Sequence, residues 1–263
     1  MKSIHQLQVY KNEGKKITMV TCYDYWSAKI LSQTPVDCLL VGDSVSMVAH
    51  GFDSTIHATV DMMAMHTAAV HRAHTQKLIV SDLPFLSHRK GRIELMKSID
   101  TLMKAGAGAI KIETAPGQES EAGYIVDSGV PVMGHVGLTP QFVHQFGGYK
   151  VQGKTNEAKE KILKQSIDLE KVGCSALVLE CVPNDLAQLI TKTLSIPTIG
   201  IGAGLKVDGQ VLVLQDLLGF NSDFKPRFVR EFAHGQEWMN DALKEFTSSV
   251  ENQSFPSTTE SFQ

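Results

Sequence analysis

The chain of 263 residues is 43% hydrophobic and 20% charged, which suits a globular fold with a sizeable core. A net charge of -3 offers no basic face and argues against nucleic acid as a partner. No apolar run approaches the roughly 18 residues of a membrane helix, and residues 1–16 lack the apolar core of a signal peptide.

From the N-terminus, β-branched apolar runs predict strands over 17–24 and 37–43. A helix-period stretch over 60–74 precedes a third strand at 78–82, and another over 92–105 precedes a fourth at 109–113. A fifth strand is expected at 131–136. Helix 156–172 then leads to strand 176–181, and helix 184–194 to strand 198–203. Apolar strands separated by helices are the pattern of a parallel sheet buried on both faces. Seven such units without a domain-sized linker predict a single-domain α/β fold, a (β/α)8 TIM-type barrel over 1–248. The eighth unit is irregular. Residues 211–215 read as a strand but follow the seventh too soon for an ordinary crossover, so 208–217 reads equally as a helix. Residues 249–263 are polar and aperiodic, the pattern of a flexible tail. Cys22, Cys38, Cys174 and Cys181 show no CxxC spacing, so reduced, buried thiols in a cytoplasmic protein are the expectation.

The charges fall in an informative place. Four predicted strands carry a carboxylate as their last or next-to-last residue, at Asp43, Asp82, Glu113 and Glu180. In a barrel the C-terminal strand ends form the active face. Alternation puts Lys111 on the same side as Glu113, pointing into the mouth, with Ile110 and Ile112 toward the helices. A single strand-end acid is more simply a helix cap. Four converging on one rim repel one another unless a positive charge sits among them, and Lys111 neutralises only one. A hard cation such as Mg²⁺, which prefers oxygen ligands, meets that need at the mouth, with the four acids as its candidate holders.

Several segments also resemble the 3-methyl-2-oxobutanoate (ketopantoate) hydroxymethyltransferase family over about residues 17–219. The resemblance is carried by Thr21-Cys22-Tyr23-Asp24-Tyr25, Val41-Gly42-Asp43-Ser44, Gly51-Phe52-Asp53-Ser54-Thr55 and Ser81-Asp82-Leu83-Pro84-Phe85. It continues through Lys111-Ile112-Glu113, the run 134–141, the run 146–153, Leu179-Glu180-Cys181-Val182-Pro183 and Gly200-Ile201-Gly202-Ala203-Gly204. It implies transfer of a one-carbon unit from 5,10-methylenetetrahydrofolate to 3-methyl-2-oxobutanoate, the first step of pantothenate biosynthesis, through a Mg²⁺-stabilised enolate. The positions matching Asp43, Asp82 and Glu113 surround the metal in that family. The resemblance also places Ser44 and Lys111 on the substrate's carboxylate and oxyanion, with His135 nearby, and makes Glu180 the proton acceptor. A homo-oligomer, a decamer, is implied too. One departure stands out. The family usually reads Gly-Asp-Ser-Leu-Gly-Met where this chain has Gly42-Asp43-Ser44-Val45-Ser46-Met47, which removes an easy route to positive φ after Ser44.

Other signals are weaker. His66, His71 and His74 share a helix without a neighbouring acid and read as surface or packing residues. The run 200–204 reads as a phosphate cradle or as close backbone packing, and the loop around Gly147-Gly148-Tyr149 as a lid. Two competing readings remain: an aldolase with a Schiff base on Lys111, and a barrel that binds metal or oxo acid without catalysis.

Overall fold

The computed structural model describes residues 3–74, 76–221 and 225–262. Eight strands close into a parallel barrel in sequence order: β1 Ile17–Thr21, β2 Cys38–Val41, β3 Leu78–Asp82, β4 Ala109–Glu113, β5 Val132–Gly137, β6 Ala176–Glu180, β7 Thr198–Ile201 and β8 Gly209–Leu212. The helices are α1 Ile4–Asn12, α2 Tyr25–Ser32, α3 Val45–Val48, α4 Val60–His71, α5 Arg92–Lys104, α6 Glu119–Asp127, α7 Val143–Phe146, α8 Asn156–Lys171, α9 Asn184–Thr193, α10 Leu214–Leu218 and α11 Gly235–Glu251. The TIM barrel predicted from the strand-helix alternation is therefore the fold.

Side-chain parity builds the interior. Ile17 and Met19, Cys38 and Leu40, Leu78 and Val80, Ala109, Met133, Ala176 and Val178, Ile199 and Val211 form one buried apolar cluster. These are alternate positions on their strands, as a barrel lumen requires. Ile4, Leu7 and Tyr10 of α1 belong to the same cluster and cover the N-terminal end of the lumen. With that end packed by apolar side chains, polar chemistry is left to the C-terminal end.

The irregular eighth unit resolves into both alternatives in turn. β8 ends at Leu212 and α10 begins at Leu214. No helix separates β7 from β8, yet they pair in parallel, Ile199 with Gly209 and Gly200 with Gln210. Strands of four residues are only about 13 Å long at roughly 3.3 Å per residue, so the seven-residue span 202–208 can return along them. Gly202 (φ 62°) and Gly204 (φ 80°) supply the turns. A side chain at Gly204 would collide with Asn184, and a Cβ at Gly200 would lie 3.0 Å from Val207. Close packing thus accounts for the glycine run.

The chain divides into two compact units, 1–212 and 213–263. The second holds α10, stopped by Gly219 in the left-handed region, and α11, whose Trp238, Met239, Leu243, Phe246 and Val250 are exposed. A short 3-10 turn at Thr258–Glu260 follows, closed by a capping box between Ser257 and Glu260. All four cysteines are buried, and none of them forms a disulfide. Of the clustered methionines of α4, Met63 is fully buried while Met65 is exposed, so only part of that group packs.

Candidate active site

The inward series that is apolar at the bottom of the barrel turns charged at the top. On β3 it passes from Val80 to Asp82, and on β4 from Ala109 to Lys111 and Glu113. β5 adds His135 after Met133, and β6 adds Glu180 after Val178. Register aligns them laterally: Asp82 pairs with Lys111, and Glu113 with His135.

Asp43 arrives differently. β2 stops at Val41, so Asp43 lies in the turn beyond it and not at the strand end expected. The inward position is Gly42, where a Cβ would lie 2.8 Å from Ser44 Oγ and 3.6 Å from Asp82 Oδ2. A bare glycine lets the turn fold over β3. The Asp43 amide then donates to Asp82 Oδ2 at 3.0 Å. Ser46 sits in helical backbone in α3, so this turn needs no positive φ there. Its buried hydroxyl reaches the carbonyls of Asp43 (2.9 Å) and Ser54 (3.0 Å). Ser44 Oγ bonds the Tyr23 hydroxyl at 2.8 Å.

At the centre, Lys111 Nζ stands 3.1 Å from Asp82 Oδ2 and 3.5 Å from Glu113 Oε1. His135 Nδ1 lies 3.1 Å from Glu113 Oε1, and its Nε2 faces Glu180 Oε2 at 3.3 Å as an ion-pair contact without hydrogen-bond geometry. Gln141 joins the two sides. Its amide N–H donates to Glu113 Oε2 (3.0 Å), and its Nε2 donates to Asp43 Oδ2 (2.8 Å) and to the Leu83 carbonyl (3.0 Å). Asp82 Oδ1 is buried and has no hydrogen-bond partner among the described residues.

Burial sets the electrostatics. It raises the Asp43 carboxyl well above the usual range, helped by Asp82 and Glu113 and opposed by Lys111. Burial also raises Asp82, against the pull of Lys111. Glu113 goes the other way, because His135 and Lys111 together outweigh its burial. Burial and Lys111 push His135 down, but its contacts with Glu113 and Glu180 win and lift it to about 9. Lys111 is driven above its ordinary value, since Asp82, Glu113 and Asp43 overcome the burial that opposes its charge.

The capping alternative for these acids fails. No side chain caps α3, α5, α6 or α9, the helices that follow the four strand ends. Among the described residues no three His, Cys, Asp or Glu side chains are arranged as a ready cation cage. The reason is visible in the distances: Asp82 and Glu113 both turn toward the Lys111 ammonium. Gln141 and Tyr23 were absent from the sequence-based site. Gln141 sits past β5 in a 3-10 turn (Pro140–Phe142), where no strand parity marks it. Of the discounted histidines, His66 bonds the Tyr23 carbonyl and His50 Nε2 (2.9 Å).

A closed parallel barrel with acids, a lysine and a histidine converging at its C-terminal strand ends defines a TIM-barrel enzyme. Solved structures share the fold: a phosphonopyruvate hydrolase complexed with oxalate and Mg²⁺ (TM-score 0.62, 12% identity, 98% of this chain and 93% of that one) and a 2,3-dimethylmalate lyase of the PEP mutase/isocitrate lyase superfamily (TM-score 0.63, 12% identity, 100% and 89%). The family model for ketopantoate hydroxymethyltransferase matches residues 1–258, and the chain belongs to that family. Relatives named 3-methyl-2-oxobutanoate hydroxymethyltransferase include one from Bdellovibrio bacteriovorus, 49% identical over the full length of both chains. Others come from Legionella pneumophila strain Lens (47%; 98% of this chain, 99% of the relative) and Coxiella burnetii RSA 493 (50%; 95% and 94%).

Proposed function

We propose that this enzyme moves a hydroxymethyl group from 5,10-methylenetetrahydrofolate to 3-methyl-2-oxobutanoate, yielding 2-dehydropantoate (ketopantoate) as the first step of pantothenate biosynthesis. Family membership and the relatives' names support the transfer itself. The observation that carries the assignment of roles is an asymmetry among the four acids. The Asp82 and Glu113 side chains are 3% and 1% exposed, while Glu180 is 16% exposed. The sealed acids suit a permanent partner and the open one a passing substrate.

The sealed group fits a divalent cation, Mg²⁺ in this reading, held by Asp43, Asp82 and Glu113. With Glu180 they make four carboxylates against Lys111 and His135, and Asp82 Oδ1 lacks a partner. When bound, the cation supplies a Lewis acid for the keto oxygen of the oxo acid and so favours its enolate. Lys111, kept cationic by its acid neighbours, adds positive charge at the same oxyanion. Ser44, whose hydroxyl bonds that of Tyr23, takes the substrate carboxylate in this reading. Glu180 takes the proton from C3, a contribution of roughly 10²–10⁴-fold for a positioned base, with His135 Nε2 beside the new carboxylic acid. The enolate carbon then attacks the methylene carbon of the folate as one of its C–N bonds breaks. Water replaces the second C–N bond, so that 2-dehydropantoate and tetrahydrofolate leave and the proton held by Glu180 passes to a folate nitrogen.

The Schiff-base alternative loses ground on this geometry, because an ammonium with a raised pKa and buried acid partners is a poor nucleophile. Glu180→Gln tests the reading. Deuterium exchange at C3 of the oxo acid should vanish while metal-dependent binding of the oxo acid persists; undiminished exchange would sink the assignment. The resemblance also implies a decameric homo-oligomer working in the cytoplasm, and the exposed apolar side chains of α11 fit subunit association. Sedimentation analysis distinguishes a decamer from a monomer. No described helix is long and apolar enough to cross a membrane.

A further inference from the structure

Beside the acid cluster lies a cavity of about 220 Å³, built from the loops after β4 and β5, from α7 and from α8. Its lining includes Thr114, Phe142, Phe146, Ile162 and Gln165. Two of these are consecutive with site residues. Thr114 follows Glu113, and Phe142 follows Gln141, whose amide bonds Glu113. Gly137, also in the wall, is the register partner of Glu180, so the cavity stands about one strand spacing, ~4.8 Å, from the backbone of the proposed base.

The chemistry of the wall is specific. The Thr114 hydroxyl is buried without a partner among the described residues. Gln165 is buried, and its Nε2 donates to the Thr114 carbonyl at 2.7 Å, which fixes the amide and leaves its Oε1 as an acceptor. The same wall carries two phenyl rings, Phe142 and Phe146, 6.5 Å apart and tilted by 44°. An orphan hydroxyl, a fixed amide oxygen and aromatic faces together suit a flat heterocycle with N–H and C=O groups along one edge. The volume is below the range of about 300–1,000 Å³ typical for a whole drug-sized ligand, so the cavity takes one ring system and leaves the rest outside. Lys150 and Lys154 flank Gln152 and Gly153 of the wall and have no carboxylate partner among the described residues. Both are exposed.

We infer that this cavity seats the pterin ring of the folate co-substrate, with Gln165 and Thr114 reading its amide edge and Lys150 and Lys154 attracting its glutamate carboxylates. The inference rests on the folate donor proposed above. It also has a chemical logic: the transferable carbon is carried at N5 and N10, so the ring end must lie near the base and the tail must point away.

Tetrahydrofolate titration, followed by intrinsic fluorescence, provides the test, alongside steady-state KM values for methylenetetrahydrofolate and for the oxo acid. Gln165→Leu should weaken tetrahydrofolate binding and raise the folate-to-oxo-acid KM ratio by roughly tenfold, the scale of one lost hydrogen bond. Lys154→Ala, a surface change that leaves the core intact, should lower affinity several-fold and flatten its salt dependence. Circular dichroism verifies the fold of each variant. Wild-type binding that neither variant weakens overturns the cavity assignment and leaves the folate donor standing. A wild-type chain that neither binds tetrahydrofolate nor turns over with its methylene form overturns both.

Discussion

Lys111 and Asp82 are register partners on adjacent strands, and the lysine ammonium stands 3.1 Å from Asp82 Oδ2 inside the barrel mouth. Each is nearly sealed from solvent, so neither can be removed without stranding the other's charge. Lys111→Met should therefore destabilise the fold by about 3–5 kcal/mol in urea unfolding without added metal, the usual cost of breaking a buried pair. It should also abolish turnover. A variant as stable as wild type would show that the acids in this cluster are already neutral.

Chelation probes the proposed cation. Turnover should stop in excess EDTA and return with Mg²⁺. Binding to the folded state alone stabilises it by about 2.7 kcal/mol when the free ion is at 100 times Kd. Thermal unfolding of the wild type should shift upward accordingly, and Asp82→Asn should lose most of that response. Full activity in EDTA would remove the metal from the mechanism.

Gln141 ties Asp43 to Glu113, donating its side-chain N–H to the first and its backbone N–H to the second. Gln141→Ala should cost about 1–3 kcal/mol, because Asp43 Oδ2 and the Leu83 carbonyl each lose a donor. Metal affinity should fall with it. Gln141→Glu should do more damage, since it adds a fifth carboxyl to a cluster already short of positive charge. Equal stability and metal affinity in Gln141→Ala would show that the bridge positions nothing.

In the sequence Asp82, Glu113 and Glu180 were legible as carboxylates at strand ends, parity added Lys111, and the family resemblance added Ser44 and His135. Asp82, Lys111, Glu113, His135 and Glu180 continue inward series that begin in apolar residues, so alternation alone aims them at the mouth. Asp43 was found for a less secure reason, because its strand stops two residues earlier and a turn delivers it. Gln141 and the Tyr23–Ser44 pair depend on contacts across 98 and 21 residues, which no local period encodes. α1 escaped because its three buried residues, Ile4, Leu7 and Tyr10, stand among polar ones in a short segment. The β7–β8 join read as irregular because a seven-residue return is feasible only between very short strands.

Ser46 stands where the sequence resemblance implied a glycine. Its hydroxyl links the Asp43 and Ser54 carbonyls, which braces the turn that carries Asp43. Ser46→Gly should cost about 1–3 kcal/mol through the lost bond and the freer backbone. Because residue 46 needs no positive φ, glycine should restore no special geometry, and activity at low temperature should survive. A more stable glycine variant would contradict the bracing role.

His135 provides a pH signature. Its folded pKa is raised from 6.5 to about 9, after burial and Lys111 are outweighed by Glu113 and the Glu180 contact. A group with a raised folded pKa contributes stability that is fully present below its unfolded pKa and lost as pH climbs through the folded one. In metal-free protein, the stability gap between wild type and His135→Gln should thus be largest below about pH 6.5 and close toward pH 9, a change on the order of 3 kcal/mol. Glu113 cannot erase the effect by titrating, because His135 and Lys111 hold its carboxyl low. Urea unfolding of both proteins between pH 6 and pH 9.5 measures the gap, and NMR of the imidazole carbons reads the protonation directly. A gap that does not change with pH would mean the imidazole is neutral in the folded chain, and its contact with Glu180 would then be that of a neutral acceptor or donor rather than a cation.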